Sequence, residues 1–183
     1  MTAIETPRLA LRPPQPGDAA VLAALMTPEV SRWVATWPHP FSEAMAAERI
    51  AEAEAAVREG RGFHRLIALR EDGAVMGWLG IALIHEAPRT GSLGYWLGTA
   101  FHGRGYIGQA LPVFVSAAAE ALRLERLEAG VQPANAASLA ALKRIGMTFV
   151  EERMHFVPAR RREEQTAFYA LSFRPASAAN PSR

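Results

Sequence analysis

The chain contains no cysteine. Disulfides, thiol nucleophiles and thiolate metal sites are therefore excluded. It also lacks a dominant charge: 20 basic residues face 18 acidic ones, a formal net charge of +2. A broad nucleic-acid surface needs a basic stripe, so no nucleic-acid partner is expected. The densest basic run, Arg160-Arg161-Arg162, is followed at once by Glu163-Glu164 and reads as a solvated loop tip. No apolar run is long enough to span a bilayer. The richest, Ala110 to Leu122, is interrupted by Pro112, Ser116 and Glu120. The first residues lack the basic-then-apolar pattern of a secretory signal, so a cytoplasmic protein without membrane contact is expected.

What is present is core-forming material. Half of the 183 residues are hydrophobic, enough for one well-packed domain. Residues 1–173 read as that domain, and the Ala-, Ser- and Pro-rich stretch 174–183 as a disordered tail. Leu9 to Arg12 alternates like a strand and stops at Pro13-Pro14. A helix is predicted from Gly17 to Met26, and another after Ser42, a natural N-cap. In the second, Ala46, Ile50, Ala53 and Val57 recur on one face. Phe63 to Arg70 and Ala74 to Ile84 flank Asp72-Gly73, a hairpin-turn signal. Ser92 to Gly98 is a further strand, with Leu93, Tyr95 and Leu97 on one face. A glycine-rich turn then leads into a helix ending near Arg123. Arg126 to Val131 is a strand, Asn135 to Ile145 a helix, and Thr148 to Val157 and Thr166 to Phe173 the last strands. This order predicts an α+β fold: a mixed, mostly antiparallel central sheet of about seven strands, flanked by helices.

The turn His102-Gly103-Arg104-Gly105-Tyr106-Ile107-Gly108-Gln109-Ala110 carries the strongest chemical signal. Its glycines let backbone N–H groups approach a ligand, and the following helix N-terminus adds partial positive charge. A pyrophosphate suits such a turn. The same residues match the dinucleotide fingerprint G-x-G-x-x-G, with Glu128 about twenty residues on. That reading fails on context. Thr99 to His102 separate the strand from the first glycine, and antiparallel strands precede the turn where a βαβ unit is required. Pro112 removes a helix bond to Gly108 and predicts a kink between them.

Taken together, these runs resemble the GCN5-related N-acetyltransferases, and within them the ribosomal-protein alanine acetyltransferase branch. The resemblance rests on Thr6-Pro-Arg-Leu-x-Leu-Arg12, Leu93-Gly94-Tyr95-Trp96-Leu97, His102 to Ala110, Asn135-Ala-Ala-Ser138 and Gly146-Met147, in that order. It implies an acetyl-CoA-dependent transferase that moves an acetyl group directly to a primary amine, on a protein N-terminus or a small molecule. No metal is implied. Gly103, Arg104, Gly105, Tyr106, Ile107, Gly108 and Gln109 would hold the pyrophosphate through backbone amides. Leu97 and its strand would bond the pantetheine arm, Asn135 would contact it, and Ser138 would lie near the sulfur and assist thiolate departure. Trp33, Trp37 and Tyr95 would bind the acceptor. The alternative class is a non-catalytic acyl-CoA-binding module.

Several positions depart from the family pattern. His102 and Ile107 replace the residues usual there, and Ile107 is expected to crowd one phosphate. The tyrosine acid common in the helix after the Asn falls on Leu142, and the usual carboxylate before the Leu-Gly-Tyr-Trp-Leu run is Ser92. By chemistry alone, Glu86 and His85 are the candidate substitutes for that carboxylate.

Overall fold

The computed structural model describes residues 2–173. The tail expected to be disordered lies outside them. The strands are β1 (Ile4–Glu5), β2 (Leu9–Arg12), β3 (Gly62–Leu69), β4 (Val75–Glu86), β5 (Arg89–Leu97), β6 (Arg126–Val131), β7 (Thr148–Val157) and β8 (Arg162–Ser172). The helices are α1 (Ala19–Leu25), α2 (Pro28–Ser31), α3 (Glu43–Arg58), α4 (Tyr106–Leu122) and α5 (Ala136–Arg144). One eight-stranded sheet runs in the order β1-β2-β3-β4-β5-β6-β8-β7. The extra strand over the expected seven is the two-residue β1. Every pairing is antiparallel except that of β5 with β6.

The period of two along each strand divides the interior into two cores. On one face Leu9, Leu11, Phe63, Ile67, Leu79, Ile81 and Leu93 pack beneath α4, whose stripe of Ala110, Leu111, Phe114, Val115, Ala118 and Leu122 is buried. On the other face α1 and α3 press Leu22, Ala46, Ile50 and Ala53 onto Leu66, Trp78 and Trp96. The Ser42 hydroxyl accepts the Met45 N–H at 3.2 Å and caps α3 as expected. α4 runs from Tyr106 to Leu122 with Pro112 inside it, so the proline does not end the helix. A proline forfeits one backbone bond, and the buried residues on either side hold the turn in place.

The charge run at 160–162 also corrects its sequence reading. Arg160 is not a solvated tip residue. Its guanidinium meets Glu164 at 2.8 and 2.9 Å and donates to the carbonyls of Ser31 at 2.9 Å and Val34 at 3.1 Å.

Candidate active site

The site begins where the sheet comes apart. β5 and β6 run parallel and pair only through Thr90↔Arg126, Gly91↔Leu127 and Ser92↔Glu128. Beyond Ser92 the two strands diverge, although both continue, β5 to Leu97 and β6 to Val131. The result is a wedge in the middle of the sheet whose edges carry backbone groups free to meet an extended ligand.

Two elements converge on the mouth of this wedge. From β5, the glycine turn leads into α4 with Gly103 at φ 73° and Gly105 at φ 76°. Left-handed backbone is nearly free for glycine and costs other residues about 1–2 kcal/mol. Gly105 is the N-cap of α4, so the first-turn amides that follow have no partner within the helix. Nothing lies within 4 Å of the position a β-carbon on Gly103 would take. The Ile107 side chain is partly buried against the core. The Gln109 amide bonds the Gly105 carbonyl at 3.2 Å, so it is not available to a phosphate as expected. The Gln109 side chain instead accepts from the Thr6 hydroxyl at 2.9 Å and the Arg8 amide at 3.3 Å, tying the β1–β2 turn to α4.

That tie brings in a residue the sequence reading missed. Arg8 donates to the Arg104 carbonyl at 3.1 Å and lies over the Tyr106 ring at 4.7 Å. A second missed cation, Arg144 in the last turn of α5, stands 3.0 Å from where a β-carbon of Gly108 would be. Two guanidinium groups thus flank a helix N-terminus, a combination suited to phosphate oxygens. Arg8 was visible inside the Thr6-Pro-Arg-Leu run, but its approach to a turn nearly a hundred residues later was not. His102 sends Nε2 to the Leu97 carbonyl at 2.9 Å and fastens the end of β5 to this turn. That carbonyl is therefore engaged within the protein.

On the other wall, Asn135 caps α5 by accepting the Ser138 N–H at 3.1 Å. Ser138 then meets Tyr95 across the wedge. The Tyr95 phenol oxygen lies 2.7 Å from Ser138 Oγ and 3.3 Å from its carbonyl oxygen. Burial raises the Tyr95 phenol to about 12, so it stays protonated at neutral pH. Leu142, which occupies the usual acid position, is packed in the core. A phenol nevertheless reaches this wall, supplied by β5.

Two sequence expectations need correction. Glu86 lies at the far end of the β4–β5 hairpin, 69% exposed and ion-paired with Arg89 at 3.2 Å. Leu79 pairs with Tyr95. A rise of about 3.3 Å per residue from Leu79 to Glu86 separates Glu86 from Tyr95 by roughly 20 Å. Glu86 and its neighbour His85 therefore lie away from Ser138. Nor do Trp37 and Tyr95 wall one pocket. Tyr95 shares the Leu93–Leu97 face, whereas Trp37 is 4% exposed on the opposite face, its ring 5.0 Å from Trp96 and 5.3 Å from Trp78. Alternation along β5 puts Tyr95 and Trp96 on opposite sides. Trp33 is half-buried beneath the Arg32 guanidinium at 4.6 Å.

A wedge between parallel strands, with a glycine-capped helix at one lip and a hydroxyl pair bridging the other, offers backbone groups and hydrogen-bond donors to an extended ligand. The sequence profile of the Acetyltransferase (GNAT) domain matches residues 8–148. The chain belongs to this family of acetyltransferases. It is 31% identical over 100 residues to the probable N-acetyltransferase YjcK of Bacillus subtilis, a match covering 54% of this chain and 55% of that protein. The fold matches Mycobacterium smegmatis RimJ in complex with CoA-disulfide at a TM-score of 0.78 and 24% identity, over 90% of this chain and 81% of that one. It also matches the ribosomal-protein-S5-alanine acetyltransferase of Vibrio fischeri at a TM-score of 0.82 and 17% identity, over 94% and 97% of the two chains.

Proposed function

We propose that this protein acetylates the α-amine of a protein or peptide N-terminus by direct transfer within a ternary complex. The observation that carries the reading is the Tyr95–Ser138 hydrogen bond standing across the wedge where β5 and β6 part. It puts two hydroxyls on the α4–α5 face and leaves the opposite face for the acceptor. The name of the Vibrio fischeri structure, which specifies the alanine of a ribosomal protein, supports a protein N-terminus as the acceptor class.

The phosphates of the donor fit the turn on the chemistry of its donors. First-turn amides from Arg104 to Gly108 and the Arg8 and Arg144 guanidinium groups are hydrogen-bond donors, and the helix end adds partial positive charge. Asn135, its side-chain oxygen engaged as the cap, offers its amide N–H groups to the pantetheine arm. The divergent edge of β5 aligns that arm and leads the thioester toward Ser138. Acetyl-CoA supplies the activated acetyl group; the neutral amine attacks its carbonyl and the thiolate leaves. The protein contributes orientation of the two reactants and stabilisation of the charge that develops. Ser138, backed by the protonated Tyr95 phenol, donates a hydrogen bond toward the departing sulfur. No carboxylate is placed in this role, and the amine's proton passes to water.

Thiol release from acetyl-CoA, measured against peptides with free N-terminal alanine, serine or methionine and against a panel of polyamines and aminoglycosides, tests this function. Turnover of one peptide class with a kcat/KM at least tenfold above the small amines is expected. Preferred turnover of a small amine overturns the acceptor assignment. Donor binding without thiol release from any amine indicates a binding module.

A further inference from the structure

Beyond Ser92↔Glu128 the β1–β5 and β6–β8 halves of the sheet share no strand pairing. On the α4–α5 face the Tyr95–Ser138 bond reconnects them. On the opposite face another connection does so. The segment 31–37 leaves α2 and crosses the open wedge. At one end it meets the β6–β8 half. Gln132, just past β6, donates to the Arg32 carbonyl at 3.0 Å. Arg160 donates to the carbonyls of Ser31 at 2.9 Å and Val34 at 3.1 Å. The Ala159 amide donates to the Ala35 carbonyl at 2.9 Å. At its other end the segment meets the β1–β5 half, where Trp37 seats its ring against Trp96 of β5 at 5.0 Å. The Ser31 hydroxyl donates to the Trp37 carbonyl at 2.7 Å and closes the segment on itself.

One carboxylate organises the β6–β8 side of this bridge. Glu164 accepts from Arg160 at 2.8 and 2.9 Å, from Arg162 at 2.8 Å and from Gln132 at 2.7 Å. The Arg160 guanidinium, helped by Arg162, holds the Glu164 carboxyl down to about 2, so this carboxylate is ionised at neutral pH. The fork of Arg160 is used twice, once on Glu164 and once on two backbone carbonyls. A lysine, with a single ammonium, cannot reproduce both.

We propose that Arg160 is a positioning residue for the acceptor: locked by Glu164, it latches the 31–37 bridge across the wedge and thereby fixes the wall past which the amine must approach the thioester. The donor enters from the α4–α5 face, where the turn and Ser138 lie, so the acceptor reaches the same carbonyl from the side this bridge spans. A loose bridge leaves donor binding and the chemical step intact but lets the acceptor wall wander. The latch depends on acetyl transfer to an amine, and not on the amine being a protein N-terminus.

The test compares the wild-type chain with Arg160→Met, which keeps the stem and removes the fork. Kinetics use the amine that turns over best in the acceptor panel. The expected result is a rise of five- to twentyfold in KM for the amine, with kcat and KM for acetyl-CoA each within twofold. Arg160→Lys recovers part of the loss by meeting Glu164 alone. Hydrogen exchange provides an arm that needs no acceptor: amides 31–36 exchange at least tenfold faster in Arg160→Met, while α4 amides are unchanged. Gln132→Ala removes a second side-chain bond to the same bridge together with its bond to Glu164, and shifts both readings in the same direction by a smaller factor. Unchanged exchange at 31–36, or kinetics in which the amine KM holds while kcat or the acetyl-CoA KM changes, overturns the latch. If no peptide is a substrate but exchange and small-amine kinetics respond as expected, the acceptor assignment fails and the latch stands.

Discussion

Removing the Tyr95 hydroxyl isolates the contribution of the pair that spans the wedge. Tyr95→Phe keeps the ring and its packing and deletes one oxygen, which lies 2.7 Å from Ser138 Oγ. The stability cost should be small. A single neutral hydrogen bond contributes about 0.5–1.5 kcal/mol net, and Ser138 can turn to another partner. The kinetic cost should be larger. In the transition state the Ser138 hydroxyl faces a sulfur gaining negative charge, and the phenol polarises that hydroxyl from behind. A hydrogen bond to a charged group is worth roughly 1.5–3 kcal/mol, which corresponds to a loss of about ten- to a hundredfold in kcat. Because the bond strengthens only as the thiolate forms, KM for acetyl-CoA should stay within about twofold. Ser138→Ala should lower kcat by a similar factor. The double variant should be hardly worse than either single one, since the two hydroxyls act as one relay. Steady-state thiol release from acetyl-CoA with a saturating amine measures all three. Additive losses, or a Tyr95→Phe variant with wild-type kcat, refute the relay and leave Tyr95 as a brace.

Arg144→Ala should weaken coenzyme A binding by about tenfold, the low end of a charge-assisted hydrogen bond at roughly 1.5 kcal/mol, and flatten its salt dependence; calorimetry giving unchanged affinity removes Arg144 from the phosphate site. Trp37→Ala should cost about 3–5 kcal/mol of stability, because it empties a space between Trp78, Trp96 and Phe41; urea denaturation with a loss under about 1 kcal/mol shows that the ring is not part of the core. Burial, aided by Arg49 and Arg65, pulls the His64 imidazole down to about 4 from its usual 6.5. The unfolded chain therefore binds the extra proton first, and the stability tied to neutral His64 is complete above pH 6.5 and lost as the pH falls toward 4, by roughly 3 kcal/mol at about 1.4 kcal/mol per unit. Between pH 7 and 4 wild type should lose up to that much more stability than His64→Leu in urea titrations, and parallel losses in the two proteins contradict the assignment.

Local sequence determined most of the elements and one half of the site. Glycines 103, 105 and 108 between a strand and an amphipathic run, and an asparagine three residues before a serine, specify a helix-capped turn and a capped helix through backbone sterics and hydrogen bonding within a few residues. The strand order, the wedge and everything that crosses it came only with tertiary structure. Arg8 and Tyr106 meet because the β1–β2 turn is tied to α4, whereas Tyr95 and Ser138, and Ser31 and Arg160, meet across the wedge that opens after Ser92, and no local pattern encodes where a parallel pairing ends. Composition also could not tell whether an aromatic in a proline-rich segment faces core or ligand; the ring positions of Trp78 and Trp96 decided that for Trp37. The arginine run at 160–162 misled for the same reason. Charge patterning describes neighbours in the chain, whereas the carbonyls of Ser31 and Val34 that engage Arg160 lie more than a hundred residues away and meet it only in the folded chain, at the β7–β8 turn.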